Sequence, residues 1–79
     1  MITDKDLVSL VGFSIEKGGY YSDRERFDIV PVDKKRTIWN LYSFNEISGR
    51  GKLIKKLKDF DDLKDIYFNI TFKELEIKE

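Results

Sequence analysis

The spacing of apolar residues predicts an α+β domain: an antiparallel sheet of about four strands, covered on one face by one amphipathic helix over residues 52–64. Three observations carry that expectation. Leu53, Leu57, Phe60 and Leu63 recur at steps of four, three and three, which at helical pitch gives one apolar stripe among lysines and aspartates. Residues 26–32, 37–44 and 66–72 alternate, or concentrate β-branched and aromatic side chains, as strands do. Glycine and polar clusters separate these stretches and supply turns. The stripe must lie on something, and the strands provide the surface.

Taken in order, Thr3 with Asp6 three residues later resembles a capping box, and Asp4 and Asp6 suit a first helical turn. A short N-terminal helix to about Val11 is expected, with Gly12 ending it, although a strand over residues 7–16 competes. A strand over residues 13–17 follows. Gly18 and Gly19 mark a turn. Residues 26–32 alternate, with Phe27, Ile29 and Pro31 on one side, and Pro31 puts the strand's end at a sheet edge or bulge. Asp33, Lys34, Lys35 and Arg36 read as a polar turn.

Residues 37–44 present two faces: Ile38, Asn40, Tyr42 and Phe44 on one, Trp39, Leu41 and Ser43 on the other. Ser48, Gly49, Arg50 and Gly51 then break the pattern before the stripe. Beyond it, Ile66, Phe68, Ile70 and Phe72 alternate with Tyr67, Asn69 and Thr71, the signature of a half-buried strand. The predicted core is Phe13, Ile15, Phe27, Ile29, Ile38, Leu53, Leu57, Phe60, Phe68, Ile70 and Phe72, with either Trp39 or Tyr42 facing it.

One local rule is broken. A helix over residues 52–64 carries lysines at its start and aspartates at its end, opposite to what the helix dipole favours. A hairpin returning along residues 52–58 is the competing reading; the stripe and the scarcity of β-branched residues favour the helix.

Seventy-nine residues, 41% of them hydrophobic, suffice for one domain with a modest core over residues 1–79. No cysteine is present, so disulfides and thiolate metal sites are excluded, and a reducing compartment is expected. The start lacks a basic region followed by an apolar one, and no apolar run is long enough for a membrane span, so a soluble cytoplasmic protein is expected. Alanine, glutamine and histidine are missing while lysine, isoleucine and aspartate are plentiful, which fits a bacterial or phage source. The zero net charge is uneven. Residues 34–58 hold eight basic side chains against one acidic, and both flanks are acidic.

Catalysis has little to work with. Without His or Cys, the commonest general base and the strongest nucleophile are gone, and no catalytic residue, cofactor or metal is expected. Asp28, between Phe27 and Ile29, is the best-placed acid, but strand alternation turns it from the Phe27 face. The acidic run from Asp59 to Asp65 fails as a calcium loop, with Lys64 where a glycine and Ile70 where a glutamate should stand. Gly49, Arg50, Gly51 and Lys52, if they open a helix, suit an anion or acidic partner, although they are not a phosphate-binding P-loop.

Lys34, Lys35, Arg36, Lys55 and Lys56 form a candidate basic patch. Tyr20, Tyr21, Trp39 and Tyr42 are candidate partner-binding aromatics, since Tyr and Trp concentrate in interface hot spots. The expectation is a non-catalytic binding or regulatory protein acting through protein contacts, its partner unidentified and its oligomeric state open. Nucleic-acid binding through residues 34–58 is the alternative, against which stand a pI near 6.3 and the lack of a recognised nucleic-acid motif.

Overall fold

The computed structural model describes residues 1–16, 18–22, 25–45 and 49–78. Along the chain run α1 (Asp4–Val8), β1 (Ser14–Glu16), β2 (Gly19–Ser22), β3 (Phe27–Pro31), β4 (Trp39–Asn45), β5 (Gly49–Leu57) and α2 (Phe60–Thr71). The strands form one antiparallel sheet in the order β1-β2-β3-β4-β5, each paired with its neighbour in sequence. The α+β class, with a short N-terminal helix, is therefore as the sequence predicts, and the sheet of about four strands has five among the described residues.

Local chemistry explains each boundary. At α1, the Asp6 amide donates to Thr3 Oγ1 (3.3 Å) and the Thr3 amide donates to Asp6 Oδ2 (2.9 Å), so the expected capping box is present. The helix is shorter than predicted, ending at a Ser9 cap, and Gly12 takes its left-handed φ of 85° in the following turn. Gly18, with φ 82°, turns β1 into β2.

Between β3 and β4, Asp33 organises the turn. Its carboxylate accepts from the amides of Thr37 (2.9 Å) and Ile38 (3.0 Å) and from the Thr37 hydroxyl (2.7 Å). Those donors, the Ile38 amide foremost, hold the Asp33 carboxyl at about 2, well below its ordinary 3.8.

Strand alternation sorts the sheet into two faces. Tyr20, Ser22, Phe27, Ile29, Trp39, Leu41 and Leu57 point to the buried side, where Ile2, Leu7 and Leu10 from the N-terminal segment and Leu63 and Tyr67 from α2 complete one core. Trp39 is fully buried: its indole Nε1 donates to the Ile2 carbonyl (2.9 Å), and Tyr20 meets its ring edge-on at 5.8 Å between centroids. Arg36 closes this end, with its guanidinium 5.1 Å from the Trp39 ring centroid and a two-pronged contact to Asp4 at 2.8 and 2.9 Å. That guanidinium, by its hydrogen bonds, lowers the pKa of Asp4, while burial raises that of Tyr20, whose hydroxyl donates to Asp4 Oδ1.

The predicted helix over residues 52–64 is corrected. Residues 49–57 are β5, and the helix runs over Phe60–Thr71. Pairing with β4 satisfies one side of the β5 backbone and buries Leu57 opposite Trp39. Moving the helix start to Phe60 also brings Asp61 and Asp62 into its first turn, where the dipole favours them. Asp62 accepts from the amides of Asp59 (3.2 Å) and Lys58 (3.1 Å), and these bonds lower its pKa.

The predicted strand over residues 66–72 is accordingly helix. On α2, Leu63 and Tyr67 are buried and Phe60 and Ile66 pack beside them, a 3.6-residue stripe displaced toward the C-terminus. Several predicted core residues therefore lie outside: Leu53, Phe68 and Ile70 are about half exposed, and Ile15 and Phe72 more so. Phe13 and Ile38 are half-buried. Of the Trp39/Tyr42 alternatives, Trp39 faces the core.

Two measurements check this packing. Leu57→Ala should cost roughly 2–5 kcal/mol, because it opens a cavity between the sheet and α2, whereas Lys56→Ala on the exposed side should unfold within error of the parent in urea. Stability should also fall with acid. A carboxyl whose folded pKa is depressed contributes stability above its unfolded pKa, and that contribution is lost as pH drops from the ordinary 3.8 through about 2. Melting temperatures measured across this window should fall less steeply in Asp33→Asn than in the parent.

Candidate interaction surfaces

The buried side chains of both helices join the core on one side of the sheet, so the other side is the open one. Its composition follows from register. Ser14, Tyr21, Asp28, Tyr42 and Leu53 are successive cross-strand partners from β1 to β5, and Val30, Asn40 and Lys56 form the next row. Tyr21 and Tyr42 are half-buried, Leu53 is 51% exposed, and Asn40 Nδ2 donates to the Tyr42 hydroxyl at 3.2 Å. The row thus places two phenols either side of a carboxylate, with an exposed leucine at one end and a lysine one row on. It is a surface of aromatic and polar groups.

The free edge of the sheet on this side is β5. Lys52, Lys55 and Lys56 along it, and Lys58 just beyond, are all exposed. Lysines along an edge strand discourage another strand from adding to it, because each must shed water to let a backbone approach. The basic middle is therefore in large part an edge, and Asp62 on α2 lies within electrostatic reach of Lys55 and Lys58.

Gly49, Arg50, Gly51 and Lys52 sit in β5, not at a helix N-terminus, so the argument for free amides cradling an anion falls. The Lys52 amide donates to Ser43 Oγ at 3.0 Å instead. Gly51 has a structural reason of its own. A Cβ there would stand 2.6 Å from the Ser43 carbonyl oxygen and 2.7 Å from Ser43 Oγ, so β4 and β5 approach too closely for a side chain. The Arg50 side chain lies outside the described residues.

The four candidate aromatics divide. Tyr20 and Trp39 are core residues, buried by the helices, while Tyr21 and Tyr42 share the open face. The basic candidates divide as well. Arg36 is tied to Asp4, whereas Lys34 and Lys35 are exposed in the β3–β4 turn and Lys55 and Lys56 on β5.

A second surface went unpredicted. Beside α2, Phe68, Leu75 and Ile77 line an open groove of about 630 Å³, rimmed by Lys64, Asp65, Asn69 and Glu74. The strand reading of residues 66–72 hid it, because that reading assigned Phe68 and Phe72 to the core. Among the described residues, no group of three or more acidic side chains is arranged to hold a metal ion, and no helix is long and apolar enough to cross a membrane.

No family model, curated protein or solved structure matches this chain.

The close approach at Gly51 has a measurable consequence. Gly51→Ala should destabilise by roughly 1–3 kcal/mol, since the new methyl must force two backbones apart. Gly51→Ala combined with Ser43→Ala relieves the hydroxyl contact but not the carbonyl one. The double variant should therefore recover only part of the loss in a chemical-denaturation series.

Proposed function

We propose that this chain is a non-catalytic binding or regulatory module that contacts a protein partner through the open face of its sheet. The observation carrying this reading is the row Tyr21–Asp28–Tyr42–Leu53, in which strand register sets phenol rings, a carboxylate and an apolar side chain side by side. Tyrosine gives large contact area with few torsions to freeze, so a rigid sheet presenting two of them recognises a surface at low entropic cost. Asp28 and Lys56 add charges of both signs, which suits a mixed polar protein surface better than a uniformly charged polymer.

Nucleic-acid binding is the second reading. Exposed Lys52, Lys55, Lys56 and Lys58 run along the edge beside the Tyr21/Tyr42 platform, an arrangement able to hold phosphates while bases stack. Asp28 between the two tyrosines, and the acidic start of α2 beside the lysines, both oppose it.

Salt separates the two. Partners captured from a bacterial lysate, with and without nuclease, should survive a rise from low to moderate salt if the contact is a protein interface, and a Tyr21→Ser, Tyr42→Ser double variant should lose them while keeping its fold. Binding that instead collapses by orders of magnitude over that range marks a phosphate-driven complex and transfers the face to nucleic acid. Retention of every partner by the double variant would remove the open face from the proposal altogether.

A further inference from the structure

We propose that a second copy of this chain docks on the groove beside α2, with Phe72 of each copy seated among Phe68, Leu75 and Ile77 of the other. This surface lies apart from the open sheet face and does not depend on it.

The starting point is Phe72 itself. It is 80% exposed and, as the residue that ends α2, holds a left-handed φ of 60°. That conformation is ordinarily taken by glycine or asparagine, and a bulky side chain there is uncommon. The backbone on both sides is fixed. The Phe72 amide donates to the Phe68 carbonyl (2.8 Å), the Thr71 hydroxyl to the Tyr67 carbonyl (2.8 Å) and the Lys73 amide to Thr71 Oγ1 (3.2 Å), while Lys73 Nζ lies 3.6 Å from Glu25 Oε1. The ring is thus presented by an anchored turn, so little freedom is lost when something covers it.

One helical turn back, Phe68 is 49% exposed and opens the groove, whose other apolar walls, Leu75 and Ile77, come from the segment after α2. That segment is held in place as well: the Val11 amide donates to the Glu76 carbonyl (3.0 Å) and the Lys78 amide to the Ser9 carbonyl (2.6 Å). A projecting aromatic and an apolar recess therefore sit next to each other on one rigid surface. The turn carries Phe72 outside its own groove, yet a two-fold axis between copies places each ring against the other's recess, as a self-complementary interface requires.

Charge and area favour the same occupant. The rim carries Lys64 together with Asp65 and Glu74, so a rotated copy meets it with opposite signs available on both sides. The chain has zero net charge, so two copies feel no long-range repulsion. At roughly 200 Å² per aromatic side chain, Phe68 and Phe72 expose ~250 Å² per copy, about 500 Å² for the pair, so with Leu75, Ile77 and the rim the contact stays below the ~1,200 Å² of stable specific interfaces. That size fits a dimer that forms and dissociates with concentration.

Sedimentation of the full chain from micromolar to near-millimolar concentration tests this directly. The parent should pass from monomer to dimer. Phe72→Asn, which suits the left-handed turn, and Ile77→Arg, at a half-exposed groove wall, should each shift the midpoint by roughly tenfold or more while melting like the parent. The reciprocal geometry adds a sharper test: Phe72→Asn keeps a groove and Ile77→Arg keeps a ring. An equimolar mixture should therefore form heterodimers more readily than either variant self-associates. A parent that stays monomeric throughout, a dimer indifferent to Phe72→Asn, or a mixture no more associated than its components would each overturn the proposal.

Discussion

The rest of the structure depends on the complete burial of Trp39. A buried indole must find an acceptor for its N–H, and the Ile2 carbonyl supplies it, which pins the N-terminal segment across the sheet. The same ring takes Tyr20 on its edge and Arg36 over its face, and Arg36 reaches on to Asp4 at the start of α1. Tyr20 closes the circuit by donating to Asp4. One side chain thus links β2, β4, the β3–β4 turn and α1. Its register partner across β5 is Leu57, which carries the contact toward α2. Among the described residues, the first helix would have little reason to lie where it does without this group of contacts.

Because the two helices converge on that side, the sheet is one-sided, and the distribution of surface chemistry follows. The open face keeps tyrosines at 21 and 42, where cross-strand neighbours shield part of each ring. The lysine-rich edge of β5 guards the last strand's backbone against intermolecular pairing. Toward the C-terminus, the buried stripe of α2 runs through Leu63 and Tyr67, and Phe68, one residue on, turns about 100° away from it and is left half exposed. Phe72, in the left-handed cap after the helix, is exposed as well.

The lysine-to-aspartate order in residues 52–64 was the one local conflict in the sequence, and it marked the element whose position had to change. Lysines belong to a strand edge and aspartates to a helix start, and the junction between them at residues 58–59 is where β5 gives way to α2. The apolar stripe survived this shift only in part, since Leu57, Phe60 and Leu63 face the core from two different elements while Leu53 turns outward. A stripe with steps of four, three and three cannot distinguish a continuous helix from a strand end followed by a helix, because the residues at the junction satisfy both.

The sequence by itself determined the α+β class, the capping box at Thr3, the turn at Gly18 and the strands through Phe27 and Trp39. Each of those rests on interactions between residues close in the chain, or on a period long enough to be unambiguous. Only the tertiary structure decided that residues 49–57 pair with β4, that residues 66–71 are helical despite their isoleucines and aromatics, and that Tyr20 and Trp39 are core while Tyr21 and Tyr42 are surface. Those outcomes depend on which backbone edge lacked a partner and which face the helices covered. Both are properties of elements far apart in sequence, and local propensity is too weak a force to set either.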